Sequence, residues 1–160
     1  MTVRTTVAGL RRKAAVVAGL AAMVAAGGVV AASPASAGPN CDSGNHCVFF
    51  TDINSSKHQY FNTDPDFGND TFGNGVTVSN QVWSASNSTT GGYESHYYNY
   101  TGTDWDANGF LFCVNPGHYA NSHFGDGGTD SRANGAPLPD YLRNKASSLR
   151  LRGTTSIDCY

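Results

Sequence analysis

Four cysteines constrain this chain of 160 residues more than any other feature. They are Cys41, Cys47, Cys113 and Cys159, an even number that is typical of two disulfides in an oxidising compartment. Three pairings are possible. We favour Cys41 with Cys47, which are close in sequence, and Cys113 with Cys159, which would join a late strand to the chain end. No C-x2-C and no neighbouring histidine at zinc-finger spacing occurs, so we predict no metal site.

The first 37 residues have the pattern of an export signal. Residues 1–13 contain four bases and no acid, residues 14–32 are apolar, and Ala35-Ser36-Ala37 is a small-x-small cleavage site. The alternative is a retained anchor, because the run approaches the roughly 20 residues that span a bilayer. It is glycine-rich, however, and the cleavage site follows at once. We therefore expect residues 1–37 to be removed, leaving a secreted protein without a membrane attachment.

Residues 38–160 would then form one small acidic domain. They keep all 12 acids of the chain but only six of its ten bases, which gives a formal charge of −6. This charge makes nucleic acid an unsuitable partner for the surface as a whole. About 123 residues can bury only a modest core, which disulfides would help to stabilise. We predict a monomer.

The body of the chain is predicted to be all-β. Short aromatic and β-branched runs recur between clusters of Gly, Asn, Asp and Ser, and no convincing helical periodicity is present. Residues 138–142 could form a short helix or 3₁₀ turn. The predicted strands are His46 to Thr51, Gln59 to Asn62, Gly75 to Val78, Val82 to Ser86, His96 to Tyr100, Phe110 to Val114, and Ser147 to Arg152.

Two weak internal matches suggest that the domain contains two related units. Cys47-Val48 and Cys113-Val114 are 66 residues apart, and the segments that begin at Asn80 and Asn144 share Asn-x-x-x-Ser-apolar at a distance of 64. Nearly constant offsets are typical of a duplicated unit, here an aromatic hairpin followed by an Asn/Ser strand. Unrelated strands with similar turn chemistry are the alternative.

Several of these segments resemble a known family. The C-x5-C start, the following Val48-Phe49-Phe50 and the closing run of residues 143–149 resemble the secreted bacterial metalloproteinase inhibitors of βγ-crystallin-like fold. The resemblance implies a disulfide-constrained Greek-key sandwich of two units that inhibits extracellular peptidases, thermolysin-type enzymes above all. Ser55 and Asn121 depart from the pattern, because they stand where crystallin-type hairpins carry glycine.

The inhibitory residues are predicted at Cys113, Val114, Asn115 and Pro116. In the resembling family the reactive bond lies in a disulfide-braced stretch. Val114 would fill the apolar pocket of the peptidase, the Cys113 carbonyl would face the zinc, and Asn115-Pro116 would turn the chain away. The alternative is that this stretch is an ordinary core strand.

A second possible interface consists of Tyr97, Tyr98, Tyr100 and Trp105. Aromatic side chains of this kind are enriched at interface hot spots. Alternating tyrosines are also typical of a β core or of a platform on which sugars stack.

The sequence argues against an enzyme and against a bound cofactor. It contains no G-x-S-x-G, H-E-x-x-H or S-x-x-K, and Glu94 is its only glutamate. Arg143 and Trp83 stand where crystallin-type calcium sites would need oxygen ligands. The alternative to an inhibitor is therefore a non-inhibitory crystallin-like module that binds cell wall or carbohydrate, or a toxin-like protein.

Overall fold

The computed structural model describes residues 38–107, 109–122 and 132–160, so the predicted signal segment lies outside it. The described chain is nearly all-β, as expected. Within these ranges no helix is long and apolar enough to cross a membrane. The elements are β1 (His46–Phe49), β2 (Lys57–Tyr60), a 3₁₀ turn (Phe67–Asn69), β3 (Ser84–Asn87), β4 (Glu94–Tyr98), β5 (Phe110–Val114), β6 (Tyr119–Ala120) and β7 (Ser148–Arg152).

The strands form two antiparallel sheets. The first sheet has the order β2-β1-β3-β6, and the second has the order β5-β4-β7. β6 lies late in the chain, yet it pairs with β3. Conversely Asp64, early in the chain, forms two backbone hydrogen bonds with Leu149 of β7, of 2.8 and 2.7 Å. Each sheet therefore contains a piece of the other half of the chain.

Two asparagine turns connect the halves reciprocally. The N–H of Asn80 donates to the carbonyl of Ala146, and the N–H of Asn144 donates to the carbonyl of Val82, each at 2.9 Å. Both asparagines have a left-handed backbone, with φ of 58° and 54°. The predicted offset of 64 residues thus connects segments that occupy equivalent positions.

The second predicted match, between the two Cys-Val pairs, is wrong as a structural equivalence. Cys47 lies on β1, which has neighbours on both sides, whereas Cys113 lies on β5, the first strand of its sheet. By strand order the counterpart of β1 is β4, which contains no cysteine. The offset of 66 residues therefore relates two strands that do not occupy equivalent positions, and the coincidence of the two Cys-Val pairs is misleading.

One predicted strand does not form, one predicted turn does, and one short strand was not predicted. The segment from Gly75 to Val78 is not a strand, because the left-handed Gly75 folds it into a tight turn in which Phe72 N–H bonds the carbonyl of Val76. At residues 138–142, where a short helix or 3₁₀ turn is predicted, the Leu142 N–H donates to the Pro139 carbonyl at 2.9 Å, so the chain forms a turn. The strand β6 was not predicted, because its two residues are too few to show a periodic pattern. It is defined by its pairing with β3.

The core lies between the inner faces of the two sheets. Val48 and Ala85 come from the first sheet, and Tyr97, Phe112 and Leu149 come from the second. All five are at most 1% exposed, and burying a large apolar side chain contributes roughly 1.5–3 kcal/mol. The loops contribute further buried side chains to the same cluster: Phe67, Phe72, Leu138 and Tyr160.

The structure contains the two disulfides of the pairing favoured above. Cys41 is joined to Cys47 and Cys113 to Cys159, with Cα–Cα distances of 5.7 and 4.8 Å. The second bond brings the chain end against β5. Tyr160 donates its N–H to the Cys113 carbonyl and is fully buried, with its ring 6.2 Å from that of Phe112. The last residues thus belong to the core.

We predict that the two disulfides contribute unequally to stability. Because the bond from Cys113 to Cys159 closes the longer loop, replacing both residues with Ala should lower the free energy of unfolding by about 4 kcal/mol. The same change at Cys41 and Cys47 should cost about 2 kcal/mol. Denaturant unfolding followed by tryptophan fluorescence measures both, and a larger loss at the shorter loop would contradict the prediction.

The left-handed turn at Asn144 gives a second prediction. Since L-residues with a Cβ are strained there, Asn144→Ala should be less stable than Asn144→Gly by about 1–2 kcal/mol. Equal stability of the two variants in urea unfolding would show that the backbone at this position relaxes.

Candidate functional site

The predicted inhibitory bond is buried. Cys113 and Val114 are both 0% exposed, and Val114 packs in the core. The Cys113 carbonyl accepts the Tyr160 N–H at 3.0 Å, and the Val114 carbonyl accepts from Asn87 Nδ2 at 3.1 Å. In the folded chain both side chains are therefore covered, as they would be in an ordinary core strand.

The two residues after this bond behave differently. Asn115 and Pro116 are partly exposed and lead into a turn, in which the His118 N–H donates to the Asn115 carbonyl at 3.1 Å. Asn115 also donates its backbone N–H to the Tyr160 carbonyl at 2.8 Å, so the turn is attached to the chain end. The chain therefore turns away after Val114 as predicted, but the residues before the turn are hidden.

The four aromatic residues of the second predicted interface divide into two pairs. Tyr97 is fully buried and stacks on Phe112 at 4.7 Å, and Tyr98 is only 3% exposed. Tyr100 is 59% exposed, and Trp105 is half-buried with its ring 5.1 Å from that of Tyr98. Only Tyr100 and Trp105 are therefore available to a partner.

A third aromatic residue joins them at the surface. Phe110 begins β5, is 43% exposed and contacts the Tyr98 ring edge-on at 5.8 Å. We call Tyr100, Trp105 and Phe110 the hairpin aromatic surface, because Tyr100 and Trp105 lie on the connection between β4 and β5 and Phe110 directly follows it. The sequence pattern predicts Phe110 in a strand, and its exposure depends on its place at the end of β5.

The connection between β4 and β5 is fixed to the body at several points. The Asn99 N–H bonds the Gly109 carbonyl at 2.9 Å, and the Gly102 N–H bonds the Pro65 carbonyl at 2.8 Å. The Ser148 hydroxyl donates to the Tyr100 carbonyl at 2.7 Å. The Arg150 guanidinium lies 5.7 Å from the centre of the Trp105 ring. These contacts order the hairpin aromatic surface before any partner binds.

A buried polar cluster includes two residues of β4 in the second sheet. His96 Nε2 is 2.7 Å from Glu94 Oε2, and Glu94 also accepts the N–H and the hydroxyl of Thr155. Burial alone would raise the pKa of Glu94, but the hydrogen bonds from Thr155 and His96 hold that pKa below its usual value. Burial lowers the pKa of His96 despite the neighbouring carboxylate. The pair is at most 1% exposed, so it fixes the C-terminal segment and cannot contact a substrate.

The same cluster contains the described residues that best approach a metal-ligand set. The ligand atoms of His96, Cys113 and Cys159 lie within 4.8 Å of one another. Both sulfurs belong to the disulfide, however, and a thiolate is the form of cysteine that binds metal. Disulfide formation therefore removes two of the three ligands.

The positions of the crystallin-type calcium ligands are occupied by other interactions. Arg143 Nη1 pairs with Asp140 Oδ1 at 2.7 Å, and its guanidinium lies 5.7 Å from the centre of the Trp83 ring. On the opposite half the Ser79 hydroxyl donates to the Ser147 hydroxyl at 3.2 Å. These residues therefore form an ion pair and a hydroxyl–hydroxyl bond within the protein.

No protein-family model matches the chain, and the comparisons with curated proteins and with solved structures found no match.

His46 makes the stability of the domain depend on pH. It is 1% exposed with Nδ1 2.6 Å from Ser95 Oγ, and burial lowers its pKa from 6.5 to about 4. Between these two values the unfolded chain binds more protons than the folded one, so stability should fall as the pH falls from 6.5 to 4. The loss from this residue should reach about 3 kcal/mol.

The measurement is denaturant unfolding at several pH values for the unsubstituted chain and for His46→Asn, whose amide can still bond Ser95. The variant should lose a smaller part of its stability on acidification, with a remainder from His96, whose pKa burial also lowers. A pH dependence that is the same in both proteins would contradict the assignment to His46.

Proposed function

We propose that this chain is a secreted inhibitor of extracellular peptidases, with thermolysin-type metallopeptidases as its targets, and that its fold is a pair of βγ-crystallin-like Greek-key units. The observation that carries the proposal is the repeated strand order. In each sheet the last strand of one half returns to lie beside the first, giving β2-β1-β3 and β5-β4-β7. In a Greek key the fourth strand likewise returns to lie beside the first, so this order supports the proposed fold.

The exchange between the halves supports the same conclusion. β6 completes the first sheet from the later half, and Asp64 bridges to β7 from the earlier half. The reciprocal bonds at Asn80 and Asn144 relate the two halves further. Two such units, with the disulfide pairing favoured for the chain, agree with the fold that the sequence resemblance implies.

The residues that contact the peptidase are proposed on the hairpin aromatic surface, since the bond from Cys113 to Val114 is buried. Tyr100 and Phe110 expose large side chains that an apolar subsite could take up, and such residues often dominate binding energy. The connection is held by backbone bonds at Asn99 and Gly102. A pre-ordered segment loses less entropy on entering a cleft than a flexible substrate does, so it binds tightly.

The same backbone bonds explain how the segment could resist cleavage. Hydrolysis would have to move the connection away from Pro65 and Ser148, and would have to break the bond from Asn99 to Gly109 that closes it at its base. A segment that cannot relax after attack keeps its cut ends in place. Substrate-like occupation of the cleft would therefore block the enzyme without rapid turnover of the inhibitor.

The test is the residual activity of thermolysin, subtilisin and trypsin titrated with the purified secreted protein. We expect near-stoichiometric loss of thermolysin activity and a 1:1 complex on gel filtration. Tyr100→Ala and Phe110→Ala should each weaken inhibition at least tenfold. Phe61→Ala is the matched control, because Phe61 is an exposed aromatic residue outside the hairpin aromatic surface.

Two results would count against the proposal. Full activity of all three enzymes in the presence of folded protein with both disulfides formed would exclude the inhibitor function. Inhibition that both hairpin substitutions leave unchanged would exclude the hairpin aromatic surface as the contact region. Circular dichroism of each variant establishes that it is folded before its inhibition is compared.

A further inference from the structure

A groove of about 550 Å³ lies near the start of β4, away from the hairpin aromatic surface. Its volume is within the range of small-ligand sites. Tyr93 lines the groove just before β4, and Tyr100 follows the strand, which is about 17 Å long. The two surfaces therefore lie toward opposite ends of one strand and can be tested separately.

Two exposed aromatic rings line the groove. Phe61 is 72% exposed and Tyr93 is 56% exposed, in contrast to the many aromatic side chains of this domain that are buried in its core. Exposed apolar area beside a concave site is typical of a binding surface. The face of an aromatic ring favours flat apolar groups with polarised C–H bonds. The C–H face of a sugar ring has this property.

The remaining lining combines polar side chains with Leu151 and two glycines, and it carries no formal charge. None of the described residues around the groove is Asp, Glu, Lys or Arg. Asn62 and Thr90 line it without a side-chain hydrogen bond to another described residue, so their donors and acceptors can turn to a ligand. An anionic or cationic ligand would lose its hydration here without gaining an opposite charge. The lining suits a ligand rich in hydroxyl groups and without charge.

One wall of the groove is organised by Asn87, which is fully buried. Its Nδ2 donates to the Tyr93 carbonyl at 2.9 Å, and its Oδ1 accepts the N–H and the hydroxyl of Thr89 at 3.1 and 2.7 Å. The Thr89 hydroxyl donates its proton to Asn87. Its oxygen can therefore act only as an acceptor toward a ligand in the groove.

The neighbouring walls are fixed as well. The Gly44 N–H bonds the Ser88 carbonyl, and the Ser88 N–H bonds the Asn45 carbonyl, both at 2.9 Å. On the other side Thr63 Oγ1 accepts the Leu151 N–H at 3.0 Å. The groove is therefore largely formed before binding, which limits the entropy that a ligand must overcome.

We propose that this groove binds a neutral oligosaccharide, with sugar rings against Phe61 and Tyr93 and hydroxyls bonded to Asn62, Thr89 and Thr90. The site is additional to the inhibitor function and does not depend on it. In a secreted protein it would hold the domain on a polysaccharide surface while the hairpin aromatic surface stays free.

The test is calorimetric titration of the secreted protein with chitohexaose, cellohexaose, xylohexaose and mannohexaose, with tetragalacturonate as the acidic comparison. At least one neutral hexasaccharide should bind with a Kd below about 1 mM. Phe61→Ala and Tyr93→Ala should each raise that Kd about tenfold. Tyr141→Ala changes an exposed aromatic residue that is 58% exposed and outside the lining, so it should leave the Kd unchanged.

Three results would overturn the proposal: no binding of any neutral hexasaccharide at about 5 mM, binding that survives both substitutions, or equal affinity for tetragalacturonate. Both aromatic residues are exposed, so the variants should fold, and thermal unfolding checks this. Peptidase titration of the same variants separates the two functions. Loss of sugar binding with intact inhibition, and the converse in Tyr100→Ala, are the expected pattern.

Discussion

The two halves of this domain depend on each other for a closed core. Each sheet incorporates backbone from the other half, through β6 in one direction and Asp64 in the other. The Asn80 N–H donates to Ala146, and the Asn144 N–H donates to Val82. Each of these backbone donors therefore has its partner in the other half of the chain. Because buried backbone groups require partners, separating the halves would leave donors unpaired as well as exposing apolar side chains. Folding of one half should therefore require the other.

The second disulfide serves this shared core. It joins β5 to Cys159 and so places Tyr160 along the edge of β5 that does not face β4. There the tyrosine backbone bonds Cys113 and Asn115. Glu94 anchors the preceding residues through Thr155. An edge strand with unpaired backbone invites pairing with other chains, and the chain end covers part of this one. The stretch around Cys113, which the sequence predicts as an inhibitory loop, thus attaches the chain end to the core.

The surfaces left for partners differ in chemistry. The hairpin aromatic surface has Arg150 against Trp105 and exposes two further aromatic side chains. This composition suits the apolar subsites and charged rim of a protein partner. The groove near the start of β4 has aromatic rings but no formal charge in its lining. The two surfaces therefore differ in chemistry and lie toward opposite ends of β4.

The sequence by itself determined the all-β class, favoured one of three disulfide pairings and suggested the equivalence of the Asn80 and Asn144 segments. These follow from local properties: short β-type runs between turn residues, cysteine spacing and a repeated Asn-x-x-x-Ser-apolar motif. Only the tertiary structure decided that Val114 and Tyr97 are buried while Tyr100 and Phe110 are exposed. It also decided that β4, and not β5, corresponds to β1. Alternation divides a strand into two faces, but packing between distant segments decides which face is covered, and that information is not local.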